Sequence, residues 1–530
     1  MLALAAERLR TLSDRQAAAL LGAIVLGIAV LTVSPLPVGL YFDDGIYAIL
    51  GKALATGEGL HYLNLPGQPA ATHYPPGYPL FLSLLWRLSP GFPGNAAVFR
   101  LANAVLLAVA AAVAFRLALE RLPLGRPAAA LAAVVGTVAS PALLLVTAVL
   151  SETLFLALLI LTLWAAERTL DHPTAGRVVG VGVLTGVLAL TRTLGAVVLP
   201  AVAALLLWRR ARWQALLLLV TGLLFLAPWQ IWVASHAGEV PPELRGNYGA
   251  YGPWLMQALS AEGPGFVARV ALRNLQAIAL ELQPSLVPSM PDVARGAIGA
   301  TALLVVAVGA CAALRRAPAT VLSLAGYLLA VTIWPFSPFR FLWAVWTPLV
   351  LLGAVGIGAL IRWRPERGAW RPLRPALVAG ALLALAGQGL YVARSLAGKE
   401  WWSALPRIRS EGLLPVLRWV ATHATPDDVV VTDHGVANLV YLYTGRRALP
   451  AEDPLATWYL RYPTATYQAA YVSRVLDRFD VRFLVVTGAS ELRVAARLAG
   501  GPAPQLRFVE RLPKYGAAFA VIRERETAHD

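Results

Sequence analysis

Runs of roughly twenty apolar residues, the length a helix needs to cross the hydrocarbon core of a bilayer, recur along most of this chain and govern what it can fold into. Candidate spans fall at about 16–38, 97–119, 128–149, 152–167, 178–193, 194–208, 213–234, 296–314, 318–336, 340–361 and 376–394. The expected fold is therefore an α-helical polytopic membrane protein of about eleven transmembrane helices. Only 14% of its residues are charged, against about 25% in soluble proteins. The single cysteine, Cys311, excludes an intramolecular disulfide. The apolar run behind Arg8, Arg10 and Arg15 has no small-residue cleavage site and is read as a retained first helix.

Charge placement orients the spans. In a soluble protein a net charge of +16 would suggest a nucleic-acid partner, but here the arginines cluster between apolar runs, as topology signals do, and no nucleic acid is expected. With the N-terminus cytoplasmic, the inner segments carry seventeen arginines, including Arg121, Arg126, Arg209, Arg315, Arg316, Arg364, Arg367, Arg371 and Arg374. The short outer turns carry only Arg192 and Arg340. This asymmetry puts 39–96, 235–295 and everything after 395 outside a cell (inner or plasma) membrane.

The chain changes character near residue 400. Residues 1–395 read as the transmembrane domain and 396–530 as a soluble, outer α/β domain. Period-two or β-branched runs at Asp428–Asp433, Arg482–Thr487, Leu506–Leu512 and Ala517–Arg523 predict strands. Helical spacing fills Thr466–Phe479 and Ser490–Leu498. The tail has no glycine-rich phosphate loop, so a structural or acceptor-docking role is expected of it.

Chemistry is expected in the first outer loop, residues 39–96, where Asp43 and Asp44 stand directly behind the first apolar run. Helical spacing covers Tyr41–Thr56, and Pro75-Pro76-Gly77 starts a second helix over Tyr78–Leu88, too short to span. These helices are expected to lie along the outer interface, with Tyr78 and Trp86 as anchors. Carboxylates at a membrane boundary tend to be functional. Adjacent side chains on a helix point about 100° apart, so one acid could take a proton from a hydroxyl while the other positions a partner or holds the loop. The larger loop at 235–295 carries Glu239, Glu243, Arg245, Tyr248, Tyr251 and Trp254, suited to stacking on a sugar or resting on the membrane surface.

The acidic pair, the following helix and the segment His73-Tyr74-Pro75-Pro76-Gly77-Tyr78-Pro79 resemble the multi-pass lipid-linked-sugar glycosyltransferases of the GT-C fold. The branch they resemble includes protein O-mannosyltransferases and the aminoarabinose transferases of lipid A. Ser151-Glu152, Thr191-Arg192-Thr193 and Pro338-Phe339-Arg340-Phe341 are similar to that family's later outer turns, with Phe341 in place of a tyrosine. The resemblance implies inverting transfer of a sugar from a polyprenyl-phosphate donor, held among membrane lipids, to an unidentified acceptor. It implies Asp43 as general base with Asp44 as the alternative, and Glu152, His73, Tyr74 and Tyr78 as cavity lining; Arg192 and Arg340, the arginines of the short outer turns, and Lys52, after the acidic pair, are candidate cations for the donor phosphate. The aminoarabinose-transferase branch has an acid–lysine pair where this chain has His73-Tyr74. His73 and Glu152 are candidates for a divalent metal, with no metal-ligand spacing around them. Apolar mid-span positions and outward charge favour the enzyme over a transporter or flippase of lipid-linked sugars.

Overall fold

The computed structural model describes residues 11–286, 295–363, 373–398, 404–433, 435–452, 465–487, 492–495, 498, 505–512 and 516–522. Arg8, Arg10, Arg364, Arg367 and Arg371 lie outside the described residues, as does much of the helix expected at 490–498.

The chain enters the bundle through α1 (Asp14–Thr32). Its N-terminus is a capping box: Gln16 N donates to Ser13 Oγ at 3.3 Å and Ser13 N donates to Gln16 Oε1 at 2.9 Å. The short helices α2 (Asp43–Thr56) and α3 (Gly77–Leu88) follow, then α4 (Ala96–Arg121) and the pair α5 (Arg126–Val138) and α6 (Ser140–Thr147), bent by 46°. Next come α7 (Glu152–Asp171), α8 (Ala175–Thr191), α9 (Val198–Trp208) and α10 (Arg212–His236). After α11 (Tyr251–Glu262) and α12 (Gly265–Leu286), the membrane part closes with α13 (Arg295–Ala313), α14 (Pro318–Ile333), α15 (Phe339–Ala344), α16 (Trp346–Arg362) and α17 (Leu373–Gly398).

Among the described residues, six helices are long and apolar enough to cross a membrane: α1, α4, α7, α10 and stretches of α13 and α17. The bent α5–α6 pair passes the same test as one unit. Four shorter apolar helices, of 10–17 residues, are α8, α14, α16 and the stretch Thr193–Trp208 that includes α9. Each expected span falls on one of these elements. Small residues let the helices approach where lipid supplies no hydrophobic drive. At the α13–α16 crossing, a Cβ on Gly309 would sit 1.9 Å from the Leu352 carbonyl oxygen, and one on Gly356 would sit 2.0 Å from that of Val305.

Helices α2 and α3 correct one expectation. Tyr78 and Trp86 are buried rather than placed at the lipid boundary. Trp86 packs on Phe92 and Phe99, and Tyr78 packs edge-on against Tyr47. The exposed face of α3 is instead a leucine stripe, Leu80, Leu84 and Leu88, at i, i+4 and i+8. The aromatic rings carry more packing area, and the loop uses them to form its own core.

The tail begins with α18 (Ala404–His423) and builds a mixed five-stranded sheet. Its strands are β1 (Val429–Thr432), β2 (Arg447–Pro450), β3 (Val481–Val486), β4 (Gln505–Arg511) and β5 (Ala517–Ile522), in the order β2-β1-β3-β5-β4. β1 runs parallel to β2 and β3, while β5 pairs antiparallel with β3 and β4. Helix α19 (Ala437–Thr444) links β1 to β2, and α20 (Ala465–Arg478) precedes β3. Strand β2 was not expected from the sequence, and its edge position accommodates Pro450. The sheet and the segment after α1 share a core, with Phe42 and Ile46 in one apolar cluster with Val431, Leu449 and Val475.

Candidate active site

The site starts from a turn. Between α1 and α2 the chain reverses through Gly39 at φ +108° and Phe42 at φ +63°, the latter a rare conformation for a bulky residue. Asp44 ties this turn together. Its carboxylate accepts from the backbone N–H of Gly39 at 2.7 Å, Tyr41 at 2.9 Å and Gly45 at 3.0 Å. Asp44 is only 1% exposed, and burial pushes its carboxyl up to about 6 despite those three donors. Both oxygens are engaged by backbone, so its geometry is that of a residue that holds the loop.

Asp43, one residue earlier, points to the opposite task. The Tyr74 hydroxyl donates to Asp43 Oδ1 at 2.7 Å, and the Arg340 guanidinium pairs with Oδ2. Burial alone would raise the Asp43 carboxyl, but Arg340 and the Tyr74 hydroxyl outweigh it and hold it below the ordinary carboxylate value.

Arg340 carries the network onward. It sits in the first turn of α15, and its Nε and Nη2 donate to Glu152 Oε1 at 3.0 and 2.8 Å. Glu152 opens α7 and is fully buried. The same Oε1 receives Arg192 Nη1 at 2.9 Å, and that nitrogen also donates to Ser151 Oγ at 3.1 Å. Arg192 lies in extended conformation between α8 and the following 3-10 turn, with its guanidinium 5.2 Å from the Phe341 ring centre. Three turns from distant parts of the chain therefore meet the head of α2 in one alternating array: Asp43, Arg340, Glu152, Arg192.

The segment 73–79 docks onto this array. A Cβ on Gly77 would sit 2.7 Å from the Leu190 carbonyl oxygen, so only glycine lets the head of α3 lie on the turn that carries Arg192. The Tyr74 and Tyr78 rings both meet Tyr47, at 5.1 and 5.0 Å between centroids. His73 donates from Nδ1 to the Gly249 carbonyl at 2.7 Å, and its ring lies 4.0 Å from that of Tyr251. Burial pushes the His73 imidazole down to about 4, so the ring is neutral near pH 7.

One sequence candidate falls elsewhere. Lys52 lies on the far side of α2, with its ammonium 5.1 Å from the centre of the Tyr441 ring. Its offset of nine residues from Asp43, at about 100° each, turns it to the opposite face. His73 and Glu152 do not make a metal site: among the described residues no three His, Cys, Asp or Glu side chains gather to hold an ion. Glu152 is already bridged by two guanidiniums, whose charge opposes a cation there. Sequence reasoning missed Tyr47, whose hydroxyl is 3.1 Å from Ser151 Oγ. Its position one helical turn after Asp43 was the available signal. It also missed Tyr251 as a partner of His73, for which no spacing gives a cue.

Comparison with known proteins follows the same lines. The family model described as dolichyl-phosphate-mannose-protein mannosyltransferase matches residues 73–232. A search of curated proteins gives no match. Among solved structures, ArnT from Cupriavidus metallidurans bound to undecaprenyl phosphate superposes with a TM-score of 0.56 at 14% identity, covering 95% of this chain and 97% of that one. The archaeal oligosaccharyltransferase AglB from Archaeoglobus fulgidus gives 0.47 at 13% identity, covering 95% and 74%. The chain is thus a multi-pass membrane protein with the GT-C fold.

Proposed function

We propose that this protein is an inverting glycosyltransferase that moves a sugar from a polyprenyl-phosphate donor to an acceptor hydroxyl on the outer face of the membrane. The observation that carries this reading is the buried array Asp43–Arg340–Glu152–Arg192 at one end of a GT-C bundle. The topology belongs to the same proposal: eleven crossings of an inner or plasma membrane, a cytoplasmic N-terminus, a transmembrane domain over 1–395 and an outer domain over 396–530.

The chemistry needs a base and a cation. The acceptor oxygen attacks the anomeric carbon, the bond from that carbon to the phosphate oxygen breaks, and the phosphate leaves with the electron pair. The acceptor proton passes to Asp43. Fixed guanidiniums stabilise the charge that grows on the phosphate. Arg192 has the freer guanidinium, since among the described residues only its Nη1 is engaged by side-chain oxygens. Arg340 uses all three of its nitrogens on Glu152 and Asp43. Asp43 held by Arg340 is a weak base. A donor phosphate that draws Arg340 away removes the charge that depresses the Asp43 carboxyl, so the base strengthens once the donor is in place. Asp44 keeps the turn that presents Asp43, Tyr74 donates to Asp43, and the His73 ring packs on Tyr74.

The test is direct. Purified protein is incubated with a panel of polyprenyl-phosphate sugars, and release of polyprenyl phosphate is measured. At least one donor should turn over, and Asp43→Asn should lose that turnover. No release with any donor, together with full function of the Asp43→Asn variant in cells, would sink the reading.

A further inference from the structure

The bundle has a charged cavity at its other end. Helix α7 carries Glu152 in its first turn and Asp171 at its last residue. A helix of that length rises about 30 Å, the thickness of the hydrocarbon core. Around Asp171 a cavity of about 370 Å³ opens between the ends of α4, α7 and α9 and the turn joining α13 to α14. That volume is within the range of about 300–1,000 Å³ typical of small-molecule sites.

Its charges do not cancel. Arg121, Arg209, Arg315 and Arg316 line it together with three acids. Each acid is already engaged. Asp171 pairs with Arg121, and Glu120 pairs with Arg116 and accepts from Trp164 Nε1 at 3.0 Å. Glu167 accepts from the backbone N–H and the hydroxyl of Thr320 at 2.6 and 2.8 Å. Among the described residues, Arg209, Arg315 and Arg316 have no carboxylate at salt-bridge distance, and Arg209 donates to the Leu170 carbonyl. Arg315 and Arg316 are exposed at the mouth, on the turn between two apolar helices.

We infer that this cavity is a binding site for a phosphate group, presented by the headgroup of an anionic phospholipid or as the free ion, on the membrane face opposite the catalytic array. Planar guanidiniums with unused N–H donors match phosphate oxygens. Basic pockets between membrane helices are suited to anionic headgroups. A lipid held here would bridge α4, α7 and the α13–α14 turn. The site neither uses nor contacts the residues of the proposed transfer reaction.

The experiment uses the purified full-length protein in neutral detergent. It is titrated separately with phosphatidylglycerol, phosphatidylcholine and inorganic phosphate. Lipid retention is followed by native mass spectrometry, and unfolding by a thermal ramp. Preferential retention of phosphatidylglycerol over phosphatidylcholine is expected, with a rise in Tm. The Arg315→Gln/Arg316→Gln variant should bind about tenfold more weakly, and Arg315→Lys/Arg316→Lys should keep most of the binding. A Tm rise with inorganic phosphate and no preference between the lipids supports the site with the free ion as its source. Equal retention of both lipids with no response to phosphate overturns the inference. So does unchanged binding in the glutamine variant. If the double variant does not fold, the single Arg315→Gln and Arg316→Gln variants make the same comparison.

Discussion

The side-chain amide of Asn438 donates to the backbone carbonyl of Phe42 at 2.9 Å, immediately before Asp43. Asn438 is fully buried and belongs to α19 of the C-terminal part, while Phe42 is the left-handed residue that turns the chain into α2. Its oxygen in turn accepts from Asn64 at 3.2 Å and from the Tyr248 hydroxyl at 3.4 Å. The tail and the segments 39–96 and 235–295 are thus pinned at one amide, directly behind the proposed base. Asn438→Ala should lower kcat by about tenfold or more with little change in donor KM, because small misplacement of a reacting group is costly. A thermal ramp run in parallel separates this from unfolding. Unchanged kcat in a folded Asn438→Ala protein would contradict a positioning role.

The same interface predicts a steric effect. A Cβ on Gly45 would lie 2.6 Å from Asn438 Cβ and 3.1 Å from Gly39 Cα. Neither neighbour has room to give, since Asn438 is held from α19 by its bond to Phe42 and Gly39 belongs to the turn that Asp44 ties. Gly45→Ala should therefore destabilise the protein by about 1–3 kcal/mol through overpacking, read as a lowered Tm. The transfer rate should fall with it, since α19 would be pushed from the Phe42 carbonyl.

Much of this was legible in the sequence, because membrane spans announce themselves by length and arginine placement. The apolar run at 152–167 and the short turn after it place Glu152 and Arg192 at one end of the bundle without any tertiary information. The pairing partners were not legible. That Arg340 bridges Asp43 to Glu152 depends on how α15 packs, 297 and 188 residues away in sequence. Lys52 looked like a third cation because loop charge was counted without helical phase. Asn438 gave no signal at all: one asparagine in a short helix is ordinary until the fold sets it behind Phe42.

The electrostatics of Asp43 set the pH dependence. A base must be ionised to act, so kcat/KM should fall on the acid side as pH drops through the Asp43 pKa of the free enzyme. Arg340 and Tyr74 hold that value below the ordinary carboxylate value, so the acid limb set by Asp43 should lie below the ordinary carboxylate range. Arg340→Gln removes the leading opposing charge and leaves burial to dominate. The acid limb should then move to higher pH. A pH–rate profile of wild type and variant measures both, and an identical acid limb in the two would show that Arg340 does not govern the base.

The two guanidiniums should separate kinetically. Arg192 touches Glu152 and Ser151 but not Asp43, whereas Arg340 touches both acids. Arg192→Gln should remove a charge-assisted contact to the donor phosphate, a loss of about 1.5–3 kcal/mol, or roughly 10- to 150-fold in kcat/KM. Because the phosphate gains charge as the sugar leaves, the loss should fall on kcat as well as on KM. Its acid limb should stay where wild type has it, since Arg192 does not hold Asp43. Arg340→Gln should show the rate loss and the moved limb together. Steady-state kinetics across pH with a single donor distinguishes the two patterns, and a moved limb in Arg192→Gln would mean that the array responds as one unit rather than as a phosphate cation and a base holder.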